Sequence, residues 1–340
     1  MRKLLNTLYV TTPEAYLSKD GMNVVVSVKQ QEVFRIPSIN IEGIVTFGYM
    51  GASPGLMKLC GDNGISLTFL SPSGKFISRV QGGTHGNVLL RKAQYALSDD
   101  EAWALHVARL MIAGKVQNYR NILRRYIRDY GECQVVEQAA KFLDANKRHA
   151  LNAEDKARLR GFEGIASNIY FGVLPNLILN QKEVFPFNGR NRRPPKDAVN
   201  AMLSLAYTLI ANDISAALET VGLDPYVGFF HSLRPGRASL ALDMMEEFRA
   251  YLGDRFVLSL INKRQITIKE FLKQGDEGIV MTDSGRRIIL SAWQNRKNEQ
   301  ITHPYLNERV SIGLLPYIQA TLLARFIRQE LDDYPVFLIR

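Results

Sequence analysis

The segment GFFHSLRPGRASLALDMMEEFRA, residues 228–250, carries the side chains whose types and spacing could do chemistry. His231 precedes an arginine-rich turn, and Asp243 and Glu246 follow it by 12 and 15 residues. Three residues apart, the two acids share one face of a helix. Upstream, GFEGIASNIYF presents Glu163 at the expected start of another helix, with Ala166 and Ser167 on its side. Glutamates, an aspartate and one imidazole make a mixed oxygen and nitrogen set. Such a set suits Mg²⁺ or Mn²⁺ better than thiolate-loving metals. A divalent ion held there would neutralise charge on a phosphodiester and activate a hydroxyl or water for in-line attack.

The same spacing admits a plainer account. Leu240, Ala241, Met244, Met245 and Phe248 form one apolar arc, and Asp243, Glu246 and Glu247 fall opposite. A solvated acidic face on an amphipathic helix explains that pattern without a metal. Glu163 could simply favour a helix N-terminus. Spacing alone does not fold Glu163 onto His231, 68 residues away. His85, His106, His149 and His303 read as structural or surface histidines.

Basic residues gather in three places. Arg120, Arg124 and Arg128 recur every four residues, with Arg125 adjacent and Tyr119, Tyr126 and Tyr130 interleaved as packing residues. Arg190, Arg192, Arg193 and Lys196 surround Pro194-Pro195, which stiffens their loop. Arg234 and Arg237 lie between His231 and the acidic helix. Guanidinium forks suit phosphate oxygens. The proline-stiffened loop has few acids nearby, which favours phosphate contact. For the first cluster, phosphate contact and ion pairs on a solvated face are equally good readings.

The elements that must position these residues begin with a β-rich stretch of roughly ninety residues. Asn23 to Lys29, the isoleucines from Ile36 to Ile44 with Val45 and Phe47, Ser66 to Leu70, and Lys75 to Val80 read as strands. Asp20-Gly21, Asn63-Gly64 and Ser73-Gly74 are turn signals. Ser53-Pro54 opens a short helix, which Gly61 is expected to stop. Gln81 to Gly86 is the candidate linker. A long helix is expected from Ser98, in capping-box spacing with Glu101, to Gly131. Further helices are expected at Asp197 to Leu218, Ser239 to Tyr251 and Ile312 to Asp332, and a turn or hairpin at Ile279 to Arg287. The expected fold is α+β: a small β-sandwich-like domain at 1–86 and a larger, all-α-helical catalytic domain at 87–340.

Composition fits that plan. With 340 residues and 46% hydrophobic content, the chain can bury two cores. Lysine and arginine exceed aspartate and glutamate by 43 to 33, a net charge of +10 that favours a polyanionic partner. Cys60 and Cys133 form no C-x-x-C pair, which implies no disulfide framework and is compatible with a reducing compartment. The longest apolar run, Tyr170 to Leu179, is too short to span a bilayer, and no signal peptide is apparent. The expectation is a cytoplasmic protein with no membrane partner.

The segments GFEGIASNIYF, FNGRNRRPPKDAVNAMLSLAYTLI and GFFHSLRPGRASLALDMMEEFRA resemble, in order and spacing, three successive motifs of the CRISPR-associated integrase that acquires spacers. The C-terminal stretch from Ile301 to Leu338 looks most like the subtype I-C form. The resemblance covers essentially the whole chain. It implies an N-terminal strand domain that forms a homodimer and a helical domain with metal ligands at Glu163, His231 and Glu246. Asp243 matches an acid near the metal and is a further candidate ligand. Arg190, Arg192, Arg193, Lys196, Arg234 and Arg237 become candidate DNA contacts, and Asn200 and Tyr207 candidate orienting residues. The implied assembly is a heterohexamer in which a dimer of the small, ferredoxin-like second Cas protein bridges two dimers. Its implied reaction joins the 3′-hydroxyls of captured double-stranded DNA to the ends of a CRISPR repeat, using Mg²⁺ or Mn²⁺. Metal-dependent endonuclease activity is also implied. Without the resemblance, a non-catalytic basic DNA-binding scaffold and an unrelated helical protein of incidental charge both stay open.

Overall fold

The computed structural model describes residues 6–339, apart from Pro13, Ser73, Lys75, Gln81, 83–87, Arg192, Arg193, 276 and 277. The linker expected at 81–86 therefore lies outside the described residues except for Gly82, as does His85. The fold is α+β, with strands up to Val80 and helices over most of the remaining chain. Two compact units are present. The first comprises Met1–Gly86, Met281–Ile301 and Arg309–Leu315; the second comprises Asn87–Val280, Thr302–Glu308 and Pro316–Arg340. The first unit thus takes in segments that a single cut after residue 86 would leave with the helices.

In the first unit, β1 (Thr7–Val10), β5 (Gly43–Phe47), β6 (Ser66–Leu70) and β7 (Phe76–Val80) form one sheet in the order β1-β5-β6-β7. Both pairs that include β5 are parallel, and β6 with β7 is antiparallel. β2 (Ala15–Asp20), β3 (Asn23–Val28) and β4 (Gln31–Pro37) form a second, antiparallel sheet. Parallel strands need a crossover. Between β5 and β6 it is α1 (Pro54–Asn63), capped by Ser53, whose hydroxyl accepts from the Leu56 N–H at 3.2 Å. This helix runs past Gly61 and ends at Gly64, whose φ of 66° is the left-handed conformation of a helix stop. Leu17, Val24, Ile44, Leu56 and Leu67, drawn from both sheets and α1, share one apolar cluster.

Where a turn or hairpin was expected at 279–287, a short strand, Ile279–Met281, gives way to the helix Asp283–Asn298. Thr282 caps it, accepting from the Gly285 N–H at 3.2 Å. Its Arg286 lies 5.2 Å from the Phe47 ring.

The second unit holds α2 (Val88–Asp99), α3 (Glu101–Tyr130), α4 (Gln134–Leu151), α5 (Lys156–Val173), α6 (Ala198–Val221), α7 (Ser239–Phe248) and α8 (Arg255–Asn262). Ser98 does not cap α3; its hydroxyl donates to the Tyr95 carbonyl. Asp100 is the cap, accepting from Ala102 and Trp103 N–H groups at 3.0 Å. Arg249–Asp254 is a π-helical turn between α7 and α8, so the helix expected to end at Tyr251 continues to Asn262. The helix expected at 312–332 is shorter: a 3-10 turn at Ile312–Leu314 and then Leu315–Ile327. Among the described residues, only α6 is long and apolar enough to cross a bilayer. Of its most apolar stretch, 67% is buried inside the protein, as in a core helix.

Candidate active site

Asp243, Glu246 and Glu247 do not line a solvated face. All three are buried, along with Leu240, Met244 and Phe248 on the other side of α7. Each acid is therefore held by partners, as a buried charge must be. Glu247 accepts from the Tyr334 hydroxyl, the Phe337 N–H and the Gln319 amide, and burial pushes its carboxyl up to about 7 against those bonds. Asn118 of α3 donates to the carbonyls of Glu247 and Phe337, both at 2.8 Å. These bonds fasten α7 between α3 and the C-terminal segment.

Asp243 departs from its expected role as a direct metal ligand. Its Oδ2 accepts from the Phe229 and Phe230 N–H groups at 2.6 and 2.9 Å. Its Oδ1 accepts from the His231 N–H at 2.9 Å and faces His231 Nδ1 at 2.6 Å. Four donors occupy one carboxylate, so Asp243 folds the 229–231 loop and fixes the imidazole. Such carboxylate–histidine pairs orient metal-bound imidazoles. With Nδ1 carrying the proton, Nε2 presents a lone pair, and it lies 4.0 Å from Glu246 Oε1.

Glu163 lies in the middle of α5, not at its start; the helix begins seven residues earlier and is capped by Asp155. Ser167 donates to Glu163 Oε1 at 2.9 Å. Arg160, one turn before Glu163, donates to the Phe230 carbonyl at 3.3 Å and ties α5 to the His231 loop. The fold thus brings Glu163 and Glu246 together, through a residue that spacing did not reveal. Lys115 of α3, fully buried, pairs with Glu163 Oε1 and lies 2.8 Å from Glu246 Oε2. Arg249, in the π-helical turn, meets Glu246 Oε1 at 3.1 Å. Burial alone would raise the Glu246 carboxyl. Arg249 and Lys115 oppose it most strongly, and the group is held at about 2, so Glu246 is ionised.

Among the described residues, no three His, Cys, Asp or Glu side chains already form a closed metal cage. Glu163 and Glu246 nevertheless share a buried ammonium, and His231 Nε2 lies 4.0 Å from Glu246 Oε1, a donor set that fits a hard or borderline divalent cation. Lys115 has a sequence signature. It sits in an apolar stripe of α3 with Ala108, Met111, Tyr119 and Ile122, where a lysine needs a buried anion. Arg249 has none, because its direction depends on the π-helical turn. Such turns recur at functional sites.

The expected orienting residues support the protein instead. Asn200 is buried. Its amide donates to the Gly189 carbonyl and Asp197, and its oxygen accepts from the Asn191 N–H and Arg190. Tyr207 donates to Asp254 and carries the guanidiniums of Arg190 and Arg249 over its ring at 5.3 and 4.9 Å. Burial pushes Asp254 up to about 6, against the Tyr207 bond and Arg249.

The basic clusters divide. Arg190 donates to Asn200 and Ser204 at 2.7 and 3.1 Å, which makes it a brace of its loop. Lys196 and Arg234 are exposed, and Arg237 is half-buried. Arg192 and Arg193 lie outside the described residues. On α3, Arg120 pairs with Asp144 of α4 at 3.3 Å, and Arg125 and Arg128 pair with Asp129, which favours the ion-pair reading of that helix.

A family model described as CRISPR associated protein Cas1 matches residues 8–295. A relative from Chlorobaculum tepidum named CRISPR-associated endonuclease Cas1 is 46% identical over the whole of both chains. A Rhodospirillum rubrum protein of the same name is 46% identical, covering 98% of each. Among solved structures, a Cas1 protein from Thermotoga maritima superposes with a TM-score of 0.83 at 22% identity, over 98% of this chain and all of that one. A casposase bound to integration product gives 0.85 at 21% identity, over 96% and 92%. At that identity the structures speak for the fold, and the close relatives together with the family match establish that this chain belongs to the CRISPR-associated Cas1 family.

Proposed function

We propose that this chain is a metal-dependent DNA endonuclease and spacer-acquisition integrase, and that Glu163, His231 and Glu246 hold its divalent ion. One observation carries the site: the ionised, buried Glu246 faces His231 Nε2 at 4.0 Å and shares a single buried cation with Glu163. A solvated acidic face, the basis of the scaffold alternative, does not describe this helix. When bound, Mg²⁺ or Mn²⁺ would neutralise the target phosphate and activate a 3′-hydroxyl or water. Asp243 keeps the proton on His231 Nδ1 and leaves Nε2 free to ligate. Arg249 holds Glu246 ionised. Lys196, Arg234 and Arg237, with Arg192 and Arg193, would neutralise flanking phosphates. Because the 3′-hydroxyl belongs to the DNA, no covalent protein intermediate is needed.

The proposed partners are supported by family membership and by solved neighbours of the same fold that include a Cas6-RT-Cas1–Cas2 complex. The reading is a homodimer formed through the strand-rich unit, bridged by the small second Cas protein into a heterohexamer that grips double-stranded DNA. The C-terminal stretch supports subtype I-C, and the working compartment is the cytoplasm. The test is integration of a labelled fragment into a supercoiled plasmid carrying a repeat, with Mn²⁺ supplied. His231→Ala should abolish joining; wild-type joining by that variant rejects the assignment.

A further inference from the structure

We propose that Lys115 is a resident counter-ion of the metal site: its ammonium holds Glu163 and Glu246 together in the metal-free protein and must release at least one of them when a divalent cation binds. This rests on the reading of those carboxylates as metal ligands. Lys115 is fully buried at the centre of α3, so no solvent stabilises its charge. Its Nζ contacts Glu163 Oε1 and Glu246 Oε2, while Arg249 takes Glu246 Oε1. Two carboxylates are thus balanced by two cations, and the cluster is neutral.

A divalent ion bound by the same carboxylates would face an ammonium already seated on them. Like charges repel strongly where the dielectric is low. The lysine has somewhere to go. Its stem is flexible, and its Nζ already lies 5.6 Å from the Tyr119 ring centroid, a face that attracts cations. Lys115 therefore acts in two directions. It compensates the acids before metal arrives, and it weakens metal binding by competing for them.

Calorimetric titration of Mn²⁺ into the metal-free full chain tests this. Lys115→Met, which removes the competitor, should bind Mn²⁺ about tenfold more tightly than the wild type. Its metal-free form should unfold several degrees lower, with Mn²⁺ restoring a larger share of the stability. Lys115→Arg keeps the charge and should bind no more tightly than the wild type. Glu246→Gln reports separately on the metal site and should weaken binding. Weakening by Glu246→Gln without tightening by Lys115→Met overturns the counter-ion role and leaves the site standing. No effect of Glu246→Gln removes the site itself. Should Lys115→Met fail to fold, crystals of the wild type grown with Mn²⁺ decide. Nζ withdrawn from one carboxylate supports the exchange, and Nζ bonded to both beside the metal refutes it.

Discussion

Asp243 Oδ1 faces the His231 ring at Nδ1, 2.6 Å away, and also accepts from the His231 backbone N–H at 2.9 Å. One oxygen therefore sets both the imidazole's tautomer and the path of the loop that carries it. Asp243→Asn tests both tasks at once. An amide in this place must turn its NH₂ either toward the N–H groups of Phe229 and Phe230 or toward His231 Nδ1. The first choice sets donor against donor; the second does the same at the His231 N–H, and also moves the ring proton to Nε2 and removes the ligating lone pair. Mn²⁺ affinity should fall about 10- to 100-fold, as when such outer partners of metal-bound histidines are lost. Calorimetry on a variant with wild-type circular dichroism measures it, and unchanged affinity would falsify the orienting role.

Gly228 makes the same loop possible by having no side chain. A Cβ there would stand 2.5 Å from Asp243 Oδ2 and 2.7 and 2.8 Å from backbone atoms of Ser239 and Leu240. Backbone at the start of α7 cannot give way as a flexible side chain can. Gly228→Ala should cost about 1–3 kcal/mol of stability by overpacking. It should also disturb integration by moving His231. Urea unfolding that matches the wild type would mean the loop approaches α7 less closely.

Legibility in the sequence depended on where the information resides. Ser53-Pro54, Asp155 and Asp197 cap helices through local bonds, and of these Ser53-Pro54 and Asp197 are readable as helix starts. His231 and Glu246 stood out by residue type and spacing. The solvation of α7 was not readable, because a helix enclosed on all sides and an amphipathic one can share an acidic arc; only the surrounding helices decide. The helix Asp283–Asn298 was missed because its buried residues, Ile289, Leu290 and Trp293 among them, belong to a unit whose strands are distant in sequence. Asn200 and Arg190 looked available for DNA until their mutual bond and the Gly189 carbonyl were seen.

Asp254 gives the protein a pH dependence whose sign can be worked out. Burial raises its carboxyl to about 6 from an ordinary 3.8. Between those values the folded protein holds a proton that the unfolded chain has lost, so stability contributed by the neutral acid declines as pH rises through that window. Asp254→Asn removes the titration. The variant should gain on the wild type by up to about 3 kcal/mol between pH 4 and pH 7. Paired denaturant melts at the two pH values measure the change, and a constant difference would show that Asp254 titrates normally.

Arg190 and the exposed basic residues should part company in their response to salt. Each phosphate that the protein neutralises releases counterions and steepens the fall of log affinity with log salt by about 0.9 on duplex DNA. Lys196→Ala and Arg234→Ala should each lower that slope by about this amount, because both side chains are exposed. Arg190 is bonded to Asn200 and Ser204 and stacked on Tyr207, so it has little freedom to meet a phosphate. Arg190→Ala should leave the slope unchanged while lowering stability by about 1–3 kcal/mol, the cost of losing its bonds to Asn200 and Ser204. Fluorescence anisotropy of a labelled duplex across a salt series reads the slopes. A reduced slope for Arg190→Ala at wild-type stability would turn the brace back into a phosphate contact, and unchanged slopes for the other two would move the DNA path away from the 191–197 loop and the His231 turn.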